Sequence, residues 1–156
     1  MQLSPWIWLL QTMPESLAVT SLAMVLASRR LEAKNILLIG LLLAAAVFLV
    51  RLIPLSFGIH FILFIIILAV LLSVRLKLQF SRSLLTALIV CLILAVLETV
   101  FLSLFSSLSA VPFENIVENI PLHMLYAWPH IFLLFLSALV IDWWRKNHVK
   151  RESNLA

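Results

Sequence analysis

Apolar residues in this chain gather into long runs separated by short polar clusters, and no run alternates with period two. Five runs stand out: about Trp6 to Ser28, Asn35 to Ile53, a third after the turn Pro54 to Gly58 that reaches about Val74, Ser83 to Leu108, and about Leu122 to Ile141. Each approaches the roughly 20 residues that a helix needs to cross a hydrocarbon core roughly 30 Å thick. Inside that core every backbone N–H and C=O must be paired, so a span is a helix or a strand of a closed barrel. Run length without alternation selects helices. The expected fold is therefore all-α, a polytopic membrane helix bundle of about five transmembrane helices. Pro14 interrupts the first run and leaves a straight, a kinked and a re-entrant span all open there; the fourth run is long enough to tilt.

Composition agrees, with 64% apolar and only 12% charged residues. Charge placement adds orientation. Arg29, Arg30 and Lys34 follow the first run, Arg75, Lys77 and Arg82 separate the third from the fourth, and Arg145, Lys146, Lys150 and Arg151 follow the fifth. In a five-span arrangement these 10 of 11 basic residues fall on one side, with only Arg51 toward the other. The positive-inside rule makes that side cytoplasmic, which predicts N-out and C-in. Residues 1–144 then form the transmembrane domain and 145–156 a basic cytoplasmic tail. Trp6 and Trp8 at the outer end, and Trp143 and Trp144 at the inner end, suit the two interfaces. No Lys or Arg precedes the first run, so no cleaved signal peptide is expected. The basic clusters flank apolar spans, and nucleic-acid binding is not expected. Cys91, the single cysteine, allows no internal disulfide.

Between the last two runs, Phe113, Ile116, Val117 and Ile120 recur at helical spacing, opposite Glu114, Asn115, Glu118 and Asn119. Pro112 suits a first helical turn. This pattern predicts a short helix on the outer leaflet, apolar face down.

Ionisable side chains inside spans are unfavourable and commonly mark paired or functional positions. Glu15, Arg51, His60 and Glu98 are such residues, one from each of four spans. At 1.5 Å per residue from the inner span ends they lie at roughly 20, 24, 21 and 22 Å, a single layer in the outer half of the membrane. Tyr126 and His130 of the fifth span fall near the same level. Two carboxylates, a guanidinium and two imidazoles can form a buried polar cluster, in which Arg51 bonds one carboxylate bidentately and leaves the other for His60, a proton or a ligand. Each has a plainer role as well: Arg51 snorkelling to headgroups, Glu15 sitting at a helix start after Pro14, His60 satisfying loop carbonyls, and the whole cluster fixing helix register. Glu98 lies deep in an uninterrupted apolar run, where only an interior role fits.

Catalytic patterns are missing. There is no His-Glu-x-x-His, the only Asp is Asp142 at the inner border, and Gly40 and Gly58 are the only glycines, too few for a phosphate loop. No enzymatic activity, cofactor or metal is expected. Ala23 and Ala27 form a small-xxx-small pair in the first span, suited to close helix packing within the chain or against a partner. Ala44 to Ala46 make a similar patch on the second span.

Pro14-Glu15, and Arg51-Leu-Ile-Pro-Leu-Ser-Phe-Gly-Ile-His60, resemble the small multi-pass membrane domains of bacterial peptide-sensing histidine kinases and their stand-alone relatives. The resemblance implies a bacterial cytoplasmic membrane, an extracellular or membrane-borne signal, and relay to a cytoplasmic kinase core. Only about 15 residues follow the fifth run, so no kinase region is expected here, and signalling requires a separate partner on the basic face. The Ala23–Ala27 pair is also similar to a motif in substrate-binding components of energy-coupling-factor transporters, which usually have six spans.

The leading expectation is a non-enzymatic membrane sensor or scaffold whose polar cluster answers a small ligand, a peptide or a proton. It would act through another membrane or cytoplasmic protein, or through a second copy of itself. The alternative is the substrate-binding subunit of a small-solute transporter.

Overall fold

The computed structural model describes the backbone of residues 11–53, 57–109 and 120–153, and side chains within these except at 51, 57, 109, 120–127 and 148–153. Five helices make up these residues: α1 Met13–Leu26, α2 Ala33–Arg51, α3 Phe57–Leu76, α4 Phe80–Ser109 and α5 Ile120–Ser153. The expected outer-leaflet helix at 112–119, and Trp6 and Trp8, lie outside the described residues.

Each helix packs on its neighbours in sequence, and α5 closes the ring against α1. The first helix also touches α4, so α1 sits toward the middle of the bundle. Its burial agrees: Ala18, Val19 and Ala23 are fully enclosed, and of Met13–Leu26 only Leu26 is exposed. Pro14 stands in the first turn of the regular α-helical stretch, and Thr12 before it already has helical dihedrals. A π-helical turn at Gln11 and Thr12 leads into it.

The outer surfaces of α2 to α5 are apolar. Leu37, Leu49, Val74, Leu92, Phe132 and Leu139 are all more than half exposed, at 57–71%. A belt of this kind is suited to lipid and not to water. Among the described residues, three segments are long and apolar enough to cross a membrane: Ala33–Val50, Gly58–Leu76 and Phe80–Leu108. The described part of α1 is apolar but shorter, at 14 residues. The fold is an all-helical bundle of membrane type.

One glycine sets the α1–α2 distance. A Cβ built on buried Gly40 would lie 2.6 Å from Leu17 Cδ2 and 3.2 Å from Leu17 Cα, so the two backbones approach closely and any side chain here crowds Leu17. The fifth helix runs 12 residues past Ile141, the expected end of its span, so the basic tail begins as a continuation of the helix. Asp142 favours that continuation by pairing with Arg145 and Lys146 one turn further on.

Candidate functional site

The interior polar residues fall on several helices. Glu15, half-buried in the first turn of α1, is placed where the helix dipole favours a carboxylate. It lies close enough to the buried Cys91 of α4 to act on it electrostatically. Thr12, Ser16 and Thr20 recur every fourth residue and are 4%, 2% and 0% exposed, giving α1 one hydroxyl-bearing buried face. Thr20 Oγ1 has no hydrogen-bond partner. On α5, His130 is 2% exposed and follows Pro129, which cannot bond the carbonyl four residues back. Trp128 and Phe132 flank this point with ring centroids 5.6 Å apart. His60 on α3 is half-buried with Nδ1 enclosed and without a hydrogen-bond partner. Glu98 on α4 is half-buried. The side chains of Arg51 and Tyr126 lie outside the described residues.

The helix limits change the distances of these residues from their helix ends. Counted from the basic-end termini of their helices, Glu15 lies about 17 Å up, while His60 and Glu98 lie at about 24 and 27 Å. From Asp142, His130 is about 18 Å up. Cys91 stands at about 17 Å on α4, level with Glu15, and Glu98 is two turns beyond it on the same face. The spread arises because α1 ends at Leu26 and α4 begins at Phe80, shifting the two helices in opposite senses from their expected limits. Among the described residues, no three His, Cys, Asp or Glu side chains converge as a metal site. Ala23 and Ala27, at 0% and 2% exposure, are covered within the chain.

The best-defined polar assembly is at the opposite end of α1. The C-terminal turns of α1 and α3 and the middle of α5 meet there, each contributing basic side chains. Arg145 Nη2 donates to Arg29 O at 2.7 Å and to Asp142 Oδ1 at 3.1 Å, and its Nη1 makes a long 3.5 Å contact to Val25 O. Lys146 Nζ holds the other Asp142 oxygen at 2.6 Å. Arg29 Nη2 donates to Leu76 O, at the end of α3, at 2.8 Å. Leu76 O is the last carbonyl of α3 and Arg29 O follows just past the end of α1, where the negative end of each helix dipole favours cations. The hydrogen bond from Lys146 is the main influence holding the Asp142 carboxyl below its usual range, helped by the charges of Lys146 and Arg145.

Both α1 and α3 close through a non-glycine residue in the left-handed region: Ser28 at φ 59° and Lys77 at φ 51°. In α1, Ser28 N donates to Val25 O and Arg29 N to Met24 O; in α3, Leu78 N donates to Ser73 O. This closure usually takes glycine. Ser28 and Lys77 both line a cleft of about 390 Å³ with Arg29, Arg30, Arg75, Glu32 and Asn35. The Glu32 carboxylate accepts from Asn35 Nδ2 at 2.7 Å.

The sequence marks Arg29 and Arg145 as basic-face charges but gives no sign that they bond neighbouring helices. The spacing of Asp142 to Arg145 and Lys146 carried the missed signal, since i,i+3 and i,i+4 pairs meet on a helix. Neither the left-handed ends nor the cleft had one, because Ser and Lys do not announce that conformation.

The chain matches no protein-family model, no curated protein and no solved structure.

Proposed function

We propose that this chain is a multi-pass protein of the bacterial cytoplasmic membrane, with five spans, its N-terminus outside and its C-terminus inside. The one-sided gathering of basic residues at the joined ends of α1, α3 and α5 supports the orientation, by the positive-inside rule. Within that frame the chain works as a non-enzymatic sensor or scaffold, coupling the interior polar residues to a protein partner at the basic end.

The observation that carries this reading is the course of α5. It is one helix from buried His130 beside Pro129, through Arg145 on the α1 carbonyls, to Ser153. At 1.5 Å per residue it is about 51 Å long, more than a bilayer core requires. A change in charge or occupancy around Glu15 and His130 would move α5 against α1, and the Arg145 contact would report it at the partner's surface. A small ligand or peptide entering from the outer side is the expected signal. The transport alternative has less support, since Ala23 and Ala27 are covered within the chain and an energising subunit would have to meet another face.

Spin labels test the coupling. They are placed on exposed Lys34 and Asn147, in a Cys91→Ala background, with the protein in lipid bilayers. Neutralising the interior groups with Glu15→Gln or His130→Gln should shift the label distance by about 1–2 Å, the scale of helix displacements in switching proteins. An unchanged distance in folded variants would reduce the polar residues to a structural role.

A further inference from the structure

We infer that the cleft between the α1–α2 and α3–α4 connections is a binding site for the phosphate group of an anionic phospholipid. Four cationic side chains line it, Arg29 and Arg30 from the α1–α2 connection, Arg75 from the last turn of α3 and Lys77 just after it. The one acidic side chain on its wall, Glu32, is held by Asn35, so the balance inside the cleft is strongly positive. The start of α2 adds the positive end of a helix dipole at Glu32 and Asn35, on the same wall. Arg29 is fixed by its bond to Leu76 O, and a guanidinium has further N–H donors to offer a phosphate oxygen.

Position selects the lipid as the source. The cleft lies where the apolar belt ends, at the level a headgroup occupies, and basic pockets between helices at the inner face suit such headgroups. The apolar members Met24 and Leu76 provide a wall for the glycerol end. The left-handed closure of α3 places Lys77 on the cleft wall immediately after Arg75 and Leu76.

The inference uses the membrane placement proposed above but not the sensor mechanism, so the two fail separately. The test is single-lipid binding to the full chain in neutral detergent, followed by native mass spectrometry with phosphatidylglycerol, phosphatidylcholine and inorganic phosphate as probes. Phosphatidylglycerol should bind more tightly than phosphatidylcholine. Lys77→Gly should weaken phosphatidylglycerol about fivefold or more, the factor one basic residue contributes at an anionic surface, while its melting temperature stays level or rises. Arg82→Gln removes the same charge from an exposed position outside the cleft and should leave binding within twofold. Equal affinity for the two lipids would overturn the proposal, as would equal losses in Lys77→Gly and Arg82→Gln. Binding of inorganic phosphate with no preference for phosphatidylglycerol would replace the lipid with a soluble anion and overturn it too.

Discussion

Arg145 donates to the carbonyl of Arg29 at 2.7 Å, while the guanidinium of Arg29 donates in turn to the carbonyl of Leu76 at 2.8 Å. Two arginines thereby tie α5 to α1 and α1 to α3, each using the free carbonyls at a neighbour's C-terminal end. Basic residues counted by the positive-inside rule thus also join the helices by hydrogen bonding. Arg145→Ala should therefore destabilise the bundle by about 1–3 kcal/mol, the range for a hydrogen bond to a charged group. Arg145→Lys should recover only part, because the shorter lysine side chain gives up the Nη1 contact to Val25 O and the reach of Nη2 to Arg29 O. Thermal unfolding in detergent checks both; wild-type stability in Arg145→Ala would show that the contact contributes nothing.

The Asp142 carboxyl titrates below its ordinary value of 3.8 because the folded protein bonds its charged form to Lys146 and Arg145. A lowered folded value means that the contribution to stability is complete above the unfolded value and is lost as pH falls through the folded one. Wild type should exceed Asp142→Asn by a constant margin at neutral pH, and the margin should close below about pH 3.8. Melting temperatures of both proteins across pH 2.5 to 7 measure it. A margin unaffected by acid would contradict the pairing.

Gly40→Val places two methyl groups against Leu17, where even a Cβ is crowded. Overpacking of this kind costs about 1–3 kcal/mol. Gly40→Ala should fall closer to neutral, because alanine's better helix propensity, about 1 kcal/mol, offsets the contact with Leu17 Cα. Equal stability of Gly40→Val and wild type would mean that α1 and α2 separate without penalty.

Ser28→Gly relieves a left-handed residue at the end of α1. It should raise stability by about 1 kcal/mol despite glycine's greater freedom in the unfolded chain. A drop would indicate that the Ser28 side chain contributes a contact of its own.

Orientation is open to direct measurement. In a Cys91→Ala background, Lys34→Cys and Arg82→Cys should react with an impermeant maleimide only after the cells are permeabilised. Labelling of intact cells would invert the proposed topology.

How much of this was legible from the residues varies by element. The apolar runs located α2, α3 and α4 to within a few residues, because lipid imposes length and hydrophobicity together. Pro14 was legible as an interruption, but its role as a first-turn residue depended on where α1 begins. The shared depth of Glu15, His60 and Glu98 was only roughly legible, since a shift of two or three residues at a helix end moves a side chain by about 3–5 Å. Gly40 could not be ranked, because one glycine in an apolar run gives no sign of which neighbour approaches it. Arg29 and Arg145 were visible as charges and invisible as caps, because capping a neighbouring helix is a property of tertiary placement.

The buried hydroxyl face of α1, formed by Thr12, Ser16 and Thr20, also bears on biogenesis. With Glu15 and these buried hydroxyls, the described stretch of α1 partitions into lipid less readily on its own than the uniformly apolar α3 does. During synthesis α1 emerges from the ribosome before the α4 and α5 surfaces that cover it. Insertion of this segment is therefore tied to completion of the later helices. A truncation that removes α5 should expose α1 to membrane quality control even though α2, α3 and α4 can still cross the bilayer.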